Sequence, residues 1–97
     1  MSILVISLNN PPVIEVEEPP VIPLGEGETY TLTLEPSVTD PDGDDVTVTY
    51  EGFMTSNTKE VTTDDAGVNV VTIRASDGKA ETTVNINVVV NRKPVLI

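Results

Sequence analysis

Three residue types that carry much of protein chemistry are missing from this chain of 97 residues, which has no histidine, cysteine or tryptophan. Without cysteine there is no disulfide scaffold, no thiol nucleophile and no cysteine-ligated zinc. Without histidine the usual acid/base group at neutral pH and the commonest transition-metal ligand are both absent. What remains is hard-cation chemistry, because carboxylates and carbonyls suit Ca²⁺ or Mg²⁺.

Basic residues are also scarce. Five Lys and Arg stand against 16 Asp and Glu, which gives a formal net charge of −11. Nucleic acids and anionic membranes both favour clustered Lys and Arg, so we expect no nucleic-acid partner. No stretch approaches the roughly 20 apolar residues of a membrane span, so we expect no membrane insertion.

Valine and threonine dominate what is present, and both favour strands. Apolar and polar residues alternate in several short runs separated by Pro, Gly and Asp turns, and no run shows the period of a helix. About seven strands in a chain of this length predict an all-β fold, an immunoglobulin-like antiparallel β-sandwich with Greek-key connections. The predicted strands are A (13–17), A′ (21–24), B (29–35), C (46–51), E (58–63), F (68–76) and G (80–90).

The phase of each alternation predicts which side chains face the core. The rare aromatic residues must supply the large core side chains, since the Trp of antibody domains is absent. We therefore expect Tyr30, Tyr50 and Phe53 to pack inward. The other predicted inward residues are Leu32, Leu34, Val46, Val48, Val71, Ile73, Ala75, Thr82, Val84, Ile86, Val88 and Val90.

The two ends of the chain resemble each other. Leu8–Ile14 (LNNPPVI) aligns with Val90–Leu96 (VNRKPVL) at an offset of 82 residues, as between Pro12 and Pro94. This similarity indicates a tandem array of modules joined by short linkers. Coincidence is the alternative, because apolar strand ends followed by Asn-x-x-Pro are common.

The repeat hypothesis divides the chain into three parts. Residues 1–10 are predicted to be the end of a preceding module plus a linker, residues 11–91 the immunoglobulin-like module, and residues 92–97 a linker and the start of the next module. Residues 1–8 have a second interpretation. An apolar strand without a partner can enter the sheet of a neighbouring copy as a donor strand.

The segment Asp40–Asp45 (DPDGDD) is the densest chemical motif. Alternating aspartates in a turn bring side-chain oxygens around one point, and Ca²⁺ takes 6–8 oxygen ligands. An EF-hand does not fit, because Gly43 stands at position four of the loop and a strand follows. An ordinary type I turn with solvated acids is the alternative, since Asp-Pro-x-Gly suits that turn.

Other residues are expected at the same end of the sandwich. The B–C loop (40–45) and the F–G loop around Asp77 lie together in an immunoglobulin-type fold, and the linker Asn9-Asn10 enters there. We therefore predict a calcium site at this end. Its candidate ligands are Asp40, Asp42, Asp44, Asp45, Asp77, Asn9 and Asn10.

Two segments resemble a known family. Val38–Tyr50 (VTDPDGDDVTVTY) and Asp65–Gly78 (DAGVNVVTIRASDG) are similar to the cadherin-like and PKD-like modules of bacterial and archaeal surface proteins, of the dystroglycan-type cadherin-like set. The resemblance implies an extracellular or cell-surface location, a tandem arrangement and calcium dependence. It implies adjacent modules or neighbouring copies as partners, and a cell-surface protein or glycan as a target. The sequence departs from animal cadherins in its linker, which holds Arg92 and Lys93.

The sequence thus predicts a structural or adhesive repeat module, stiffened by calcium, rather than an enzyme. Paired carboxylates serve glycosidases, but such sites need a cleft and usually aromatic platforms, and aromatics make up 3% of this chain. Two alternatives are a self-assembling fibre subunit that uses residues 1–8 as a donor strand, and a carbohydrate-binding accessory module of a secreted enzyme. Exposure of Tyr30 and Tyr50 on one sheet face would favour the carbohydrate-binding module.

Overall fold

The computed structural model describes residues 8–93, and this part of the chain is all-β. Short strands fill the first half, while the two longest strands form a hairpin near the end. All seven predicted strands are present. The strands are β1 (Val13–Glu15), β2 (Ile22–Leu24), β3 (Tyr30–Thr33), β4 (Ser37–Thr39), β5 (Thr47–Gly52), β6 (Thr58–Val61), β7 (Gly67–Ser76) and β8 (Glu81–Arg92).

The strands form two layers, as the sandwich prediction requires. One layer is a four-stranded sheet in the order β2-β8-β7-β5, and the other consists of the pairs β1-β4 and β3-β6. All pairs are antiparallel except β2 and β8, which run parallel. The parallel pair arises because the chain leaves β1 after Glu15 and crosses to the edge of the four-stranded sheet, where β2 lies beside β8. β-Strand residues of both layers then face one core.

That core confirms the predicted phase for most strands. Alternate residues of β3, β7 and β8 are buried, and those between them point outward. The two layers meet mainly through branched aliphatic side chains, and Met54 is buried among these side chains. The fully or nearly buried residues include Leu32, Leu34, Val61, Val71, Ile73, Ala75, Ile86, Val88 and Val90.

The prediction for Tyr30 is wrong, because 47% of this residue is exposed. Tyr30 is the first residue of β3, where no strand covers the outer edge, and its ring lines an open groove. Aromatic packing against the core comes instead from Tyr50 and Phe53. Burial raises the pKa of the Tyr50 hydroxyl above its ordinary value.

One strand was not predicted. Ser37–Thr39 pairs with β1, residue for residue, from Val13 opposite Thr39 to Glu15 opposite Ser37. Strand B was predicted to end at Glu35, but after Pro36 it resumes as β4 against a different partner. Proline has no backbone N–H to donate, so it separates the two short ladders.

As expected from the lack of a helical period in the sequence, residues 8–93 contain no helix longer than one turn. A single 3-10 turn, Thr63–Asp65, follows β6. Strand β6 corresponds to predicted strand E and therefore ends at Val61, two residues before the predicted end. Thr62 and Asp65 form a capping box: Thr62 N donates to the Asp65 carboxylate at 3.0 Å. In this part of the chain no helix is long and apolar enough to cross a membrane.

The predicted module boundaries fall partly outside the described residues. Residues 1–7 and 94–97 lie beyond them, so the preceding module, the donor strand and the next module stay predictions. At the C-terminal end, β8 extends to Arg92, two residues past the predicted end of strand G. Lys93 N then donates to the Leu24 carbonyl at 2.8 Å, which continues the contact with β2.

Candidate metal centre

The loop between β4 and β5 folds around the side chain of Asp40. Gly43 N donates to the Asp40 carbonyl at 3.0 Å, which closes the predicted β-turn. Asp40 Oδ1 accepts hydrogen bonds from the backbone N–H groups of Asp42 at 2.7 Å and Asp44 at 3.3 Å. An aspartate at the first position of a turn favours this arrangement, which turns the following carboxylates to the same side.

Three carboxylates of this loop converge. One oxygen each from Asp40, Asp42 and Asp44 lies within 4.8 Å of the other two. Oxygens that share one Ca²⁺ at about 2.3–2.6 Å lie at most about 5 Å apart, so this spacing fits a common ion. Asp40 is half-buried, whereas Asp42 and Asp44 are exposed. The loop therefore presents a three-carboxylate group that opens toward solvent.

The second oxygen of Asp40 provides a more specific observation. Asp40 Oδ2 is buried and accepts no hydrogen bond from the described residues, and the Asp40 carboxyl interacts with that of Asp77. A buried charged oxygen without a donor is unfavourable by roughly 1–3 kcal/mol or more. A cation beside it would remove this cost, so the residues present fit a hard divalent ion.

Asp77 is held by its own hairpin turn between β7 and β8. Its Oδ1 accepts from the backbone N–H groups of Lys79 and Ala80, both at 2.8 Å. Gly78 takes a φ of 91°, in the left-handed region that the predicted turn requires. The N–H groups of Ala80 and Lys79 stabilise the carboxylate and lower the pKa of Asp77 below its ordinary value.

The linker residues reach both loops, as the topology predicted. Asn9 Nδ2 donates to Asp77 Oδ2 at 3.1 Å. Asn10 donates to Asp42 twice, from its backbone N at 2.7 Å and from Nδ2 at 3.1 Å. Both amides act as donors to carboxylates here. They tie the linker to the loops, and their role as metal ligands stays a prediction.

We call this region the acidic pole; it comprises Asn9–Asn10, Asp40–Asp45 and Ser76–Gly78. Neither Asp45 nor Asp77 belongs to the three-carboxylate group among residues 8–93. Asp77 lies next to Asp40, whereas Asp45 stands two residues before β5, which begins at Thr47. Asp45 and Asp77 therefore stand apart from the three aspartates that share one point.

Sequence reasoning did not identify Lys79. With Leu8, Asn9, Asp42 and Asp44, it lines a shallow depression of about 300 Å³ at the acidic pole. The positive charge of a lysine beside carboxylates competes with a bound metal ion for those carboxylates. Lys79 could have been identified from its position directly after Asp77 and Gly78, because the F–G loop was already expected at this end of the sandwich.

Glu51 and the two tyrosines lie outside the acidic pole. Glu51, which an EF-hand would need as its last ligand, instead pairs with Arg74 at 2.8 Å. Tyr30 and Tyr50 lie in different sheets, and Tyr50 packs on the core. The two rings therefore do not form the shared aromatic face that a carbohydrate-binding module would present.

Comparisons with known proteins give little further information. No protein-family model matches the chain, and no curated protein matches it in sequence. Among solved structures, the chain is similar to an endo-fucoidan hydrolase of glycoside hydrolase family 107, with 24% identity and a TM-score of 0.46. That match covers 86% of this chain and 14% of the hydrolase chain, so no statement about activity follows from it.

Proposed function

We propose that this chain is a structural or adhesive repeat module of an extracellular surface protein, of the cadherin-like kind, that binds Ca²⁺ at its acidic pole. One observation carries the proposal. The Asp40 carboxylate, which converges with those of Asp42 and Asp44 within 4.8 Å, has a buried oxygen, Oδ2, that accepts no hydrogen bond from the described residues. Ordinary turn chemistry explains the hydrogen bonds to Oδ1 but gives Oδ2 no partner.

Asp40, Asp42 and Asp44 would hold the ion, which would supply the positive charge that these carboxylates lack. The other residues connect the loop to the linker. Asn10 ties Asp42 to the chain that enters the module, and Asn9 ties that chain to Asp77. Ordering of the loop would therefore restrict the linker, and the restriction would stiffen a tandem array.

This role is passive and involves no catalysis. Adjacent modules of the same chain or neighbouring copies are the proposed partners, with a cell-surface protein or glycan as the adhesive target. The resemblance to cadherin-like modules supports the extracellular setting. Millimolar Ca²⁺ is expected in that setting, and a weak, exposed site would be filled there.

Thermal unfolding in calcium and in EDTA tests the proposal. At a Ca²⁺ concentration of about ten times Kd, the folded state gains about 1.4 kcal/mol, because stabilisation follows RT ln(1 + [L]/Kd). For a domain of this size that corresponds to a rise in Tm of about 5–10 °C. Identical melting curves in both solutions would refute the calcium site.

Two neighbouring substitutions make the test specific. Asp44→Asn removes a carboxylate of the three-carboxylate group, whereas Asp45→Asn makes the same charge change outside it. We expect Asp44→Asn to abolish most of the calcium-dependent rise in Tm and Asp45→Asn to preserve it. Equal loss in both variants would indicate a general charge effect rather than a site.

A further inference from the structure

Strand β3 is open along one edge. It pairs with β6 on one side, and among residues 8–93 no strand pairs with its other side. A groove of about 800 Å³ runs beside that open edge, between β3 and the segment Val16–Pro20. We call it the edge groove; its lining includes Glu15, Glu17, Glu18, Tyr30, Thr33 and Glu35.

The backbone groups that face the edge groove can be identified. Leu34 N donates to the Asn57 carbonyl at 2.8 Å, so Leu34 and the residues in phase with it bond toward β6. Backbone groups alternate in direction along a strand. The N–H and C=O groups of Thr31 and Thr33 therefore point to the open side, where an added strand would meet them.

The sequence keeps this edge open. Continuing the β1-β4 register would place Val16 opposite Pro36, which has no N–H to donate. The next step would place Glu17 opposite Glu35, and like charges directly opposite destabilise a pair. Pro19 and Pro20 then carry the chain away without donors of their own. The open edge is thus a consequence of local sequence.

The walls of the edge groove carry one sign of charge. Glu15, Glu17, Glu18 and Glu35 all line it, all are exposed, and none forms an ion pair within the described residues. Open sheet edges are commonly protected by charge against pairing with unsuitable strands. Negative walls repel an acidic strand, give a neutral strand no electrostatic attraction, and attract a basic one.

We propose that the edge groove binds an extended, lysine- or arginine-rich peptide segment of a partner protein, which adds to β3 as a further strand. The backbone of Thr31 and Thr33 provides the hydrogen bonds, and the glutamates select positive charge. The side chains of such a peptide would alternate between the two faces of the enlarged sheet, with its apolar residues on one face and its basic residues on the other. The proposal is independent of calcium binding at the acidic pole.

The test uses the whole chain and three synthetic peptides of eight residues with blocked ends. The first alternates lysine and valine, the second has the same lysines but proline in place of valine, and the third has the sequence of residues 1–8. We expect saturable binding of the Lys-Val peptide by calorimetry. We also expect slower amide hydrogen exchange at Thr31 and Thr33 when it is present, since strand addition protects those N–H groups.

Charge variants test the walls without altering the backbone. Glu17→Gln with Glu35→Gln should weaken binding about tenfold, in line with the loss of several exposed charge pairs. Glu26→Gln with Glu60→Gln makes the same change in net charge outside the edge groove and should leave binding unchanged. Equal weakening by both pairs would overturn the proposal, because it would indicate general attraction to an acidic protein.

A backbone variant tests the edge itself. Thr31→Pro removes an N–H on the open side of β3 and spares the bonds to β6, whereas Thr31→Val retains it. We expect Thr31→Pro to abolish binding and Thr31→Val to preserve it. Unchanged exchange at Thr31 and Thr33 in the original chain would overturn the proposal without any variant. Equal binding of the Lys-Pro peptide, or of the peptide with the sequence of residues 1–8, would overturn it as well.

Discussion

The aspartates of the acidic pole have different environments, although their side chains are identical. Asp77 accepts two backbone hydrogen bonds in its own turn, and both carboxylate oxygens of Asp42 accept from Asn10. The Asp44 carboxylate accepts no hydrogen bond from residues 8–93, and Asp40 uses one oxygen of two. Asp40 and Asp44 therefore have the greatest unused capacity for a cation.

The lowered pKa of Asp77 predicts how stability depends on pH. Its charged form is favoured in the folded state, so its stabilisation is complete above the ordinary pKa of 3.8 and is lost as pH falls through the lower folded value. We expect the native chain to be more stable than Asp77→Asn at pH 7. The difference in Tm should shrink as pH falls below about 4.

Melting curves of both proteins from pH 7 to pH 2, in EDTA, measure this difference. Asp45→Asn serves as the control, since Asp45 lies outside the turn that holds Asp77. A difference in Tm between the native chain and Asp77→Asn that stays constant over the whole range would contradict the role of the charged form.

The sequence predicted that the linker asparagines and the two loops meet at the acidic pole, but not that the asparagines act there as hydrogen-bond donors. Fold topology places Asn9, Asn10, Asp40 and Asp77 at one end once the strand order is known. Whether an asparagine offers its amide N–H or its oxygen depends on side-chain rotamers and on the charge beside it. Because the amides lie next to two carboxylates, which only accept hydrogen bonds, they turn their N–H groups toward them. The spacing of residues in the sequence does not reveal this orientation.

At the scale of secondary-structure elements, the longer strands were predicted more accurately than the shorter ones. The β7-β8 hairpin has strands of 10 and 12 residues with uninterrupted alternation, and its phase was predicted correctly from Val71 to Val90. β4 has three residues, follows a proline and contains one half-buried side chain, Val38, so alternation could not identify it. Its existence depends on pairing with β1, which is a tertiary contact.

Neighbouring valines of β7 provide a test of that phase. Val71 is fully buried, whereas Val70 is 48% exposed on the outer face. We expect Val71→Ala to lower the free energy of unfolding by about 2–3 kcal/mol, because it leaves a cavity in the core. Val70→Ala should cost less than about 0.5–1 kcal/mol. Urea unfolding of the two variants measures both values.

Total domain stabilities are usually about 5–15 kcal/mol, so the Val71 variant should remain folded but unfold at clearly lower urea. Equal losses in Val70→Ala and Val71→Ala would contradict the two-layer packing. A smaller slope of free energy against urea in one variant would instead indicate a change in compactness rather than in packing at that residue.

At the scale of the whole molecule, the acidic residues fall into distinct groups. Aspartates gather at the acidic pole and at the 3-10 turn, while glutamates mostly decorate strand surfaces and the edge groove. The three ion pairs among the described residues use Arg74 and Lys93, and the paired side chains are between 37% and 55% exposed. Such pairs contribute little stability, and even if every Lys and Arg were paired, 11 acidic charges would remain to repel one another.

This repulsion predicts a response to ionic strength. Raising NaCl from about 10 mM to 150 mM shortens the screening length from about 30 Å to about 8 Å. We expect Tm to rise by about 4–8 °C if the screened repulsion amounts to about 1 kcal/mol. Melting curves in EDTA separate this effect from calcium binding. A Tm that falls as salt is added would show that attractive pairs outweigh repulsion.

The parallel pair β2-β8 has a mechanical consequence. β2 is entered from the N-terminal side, and β8 leaves toward the C-terminal side in the same direction. A pull on the two ends of the described chain would therefore slide these strands past each other, and their hydrogen bonds, including Lys93 to Leu24, would bear the load together. Strands loaded in this way resist force better than strands opened one bond at a time, which suits a module to bearing tension.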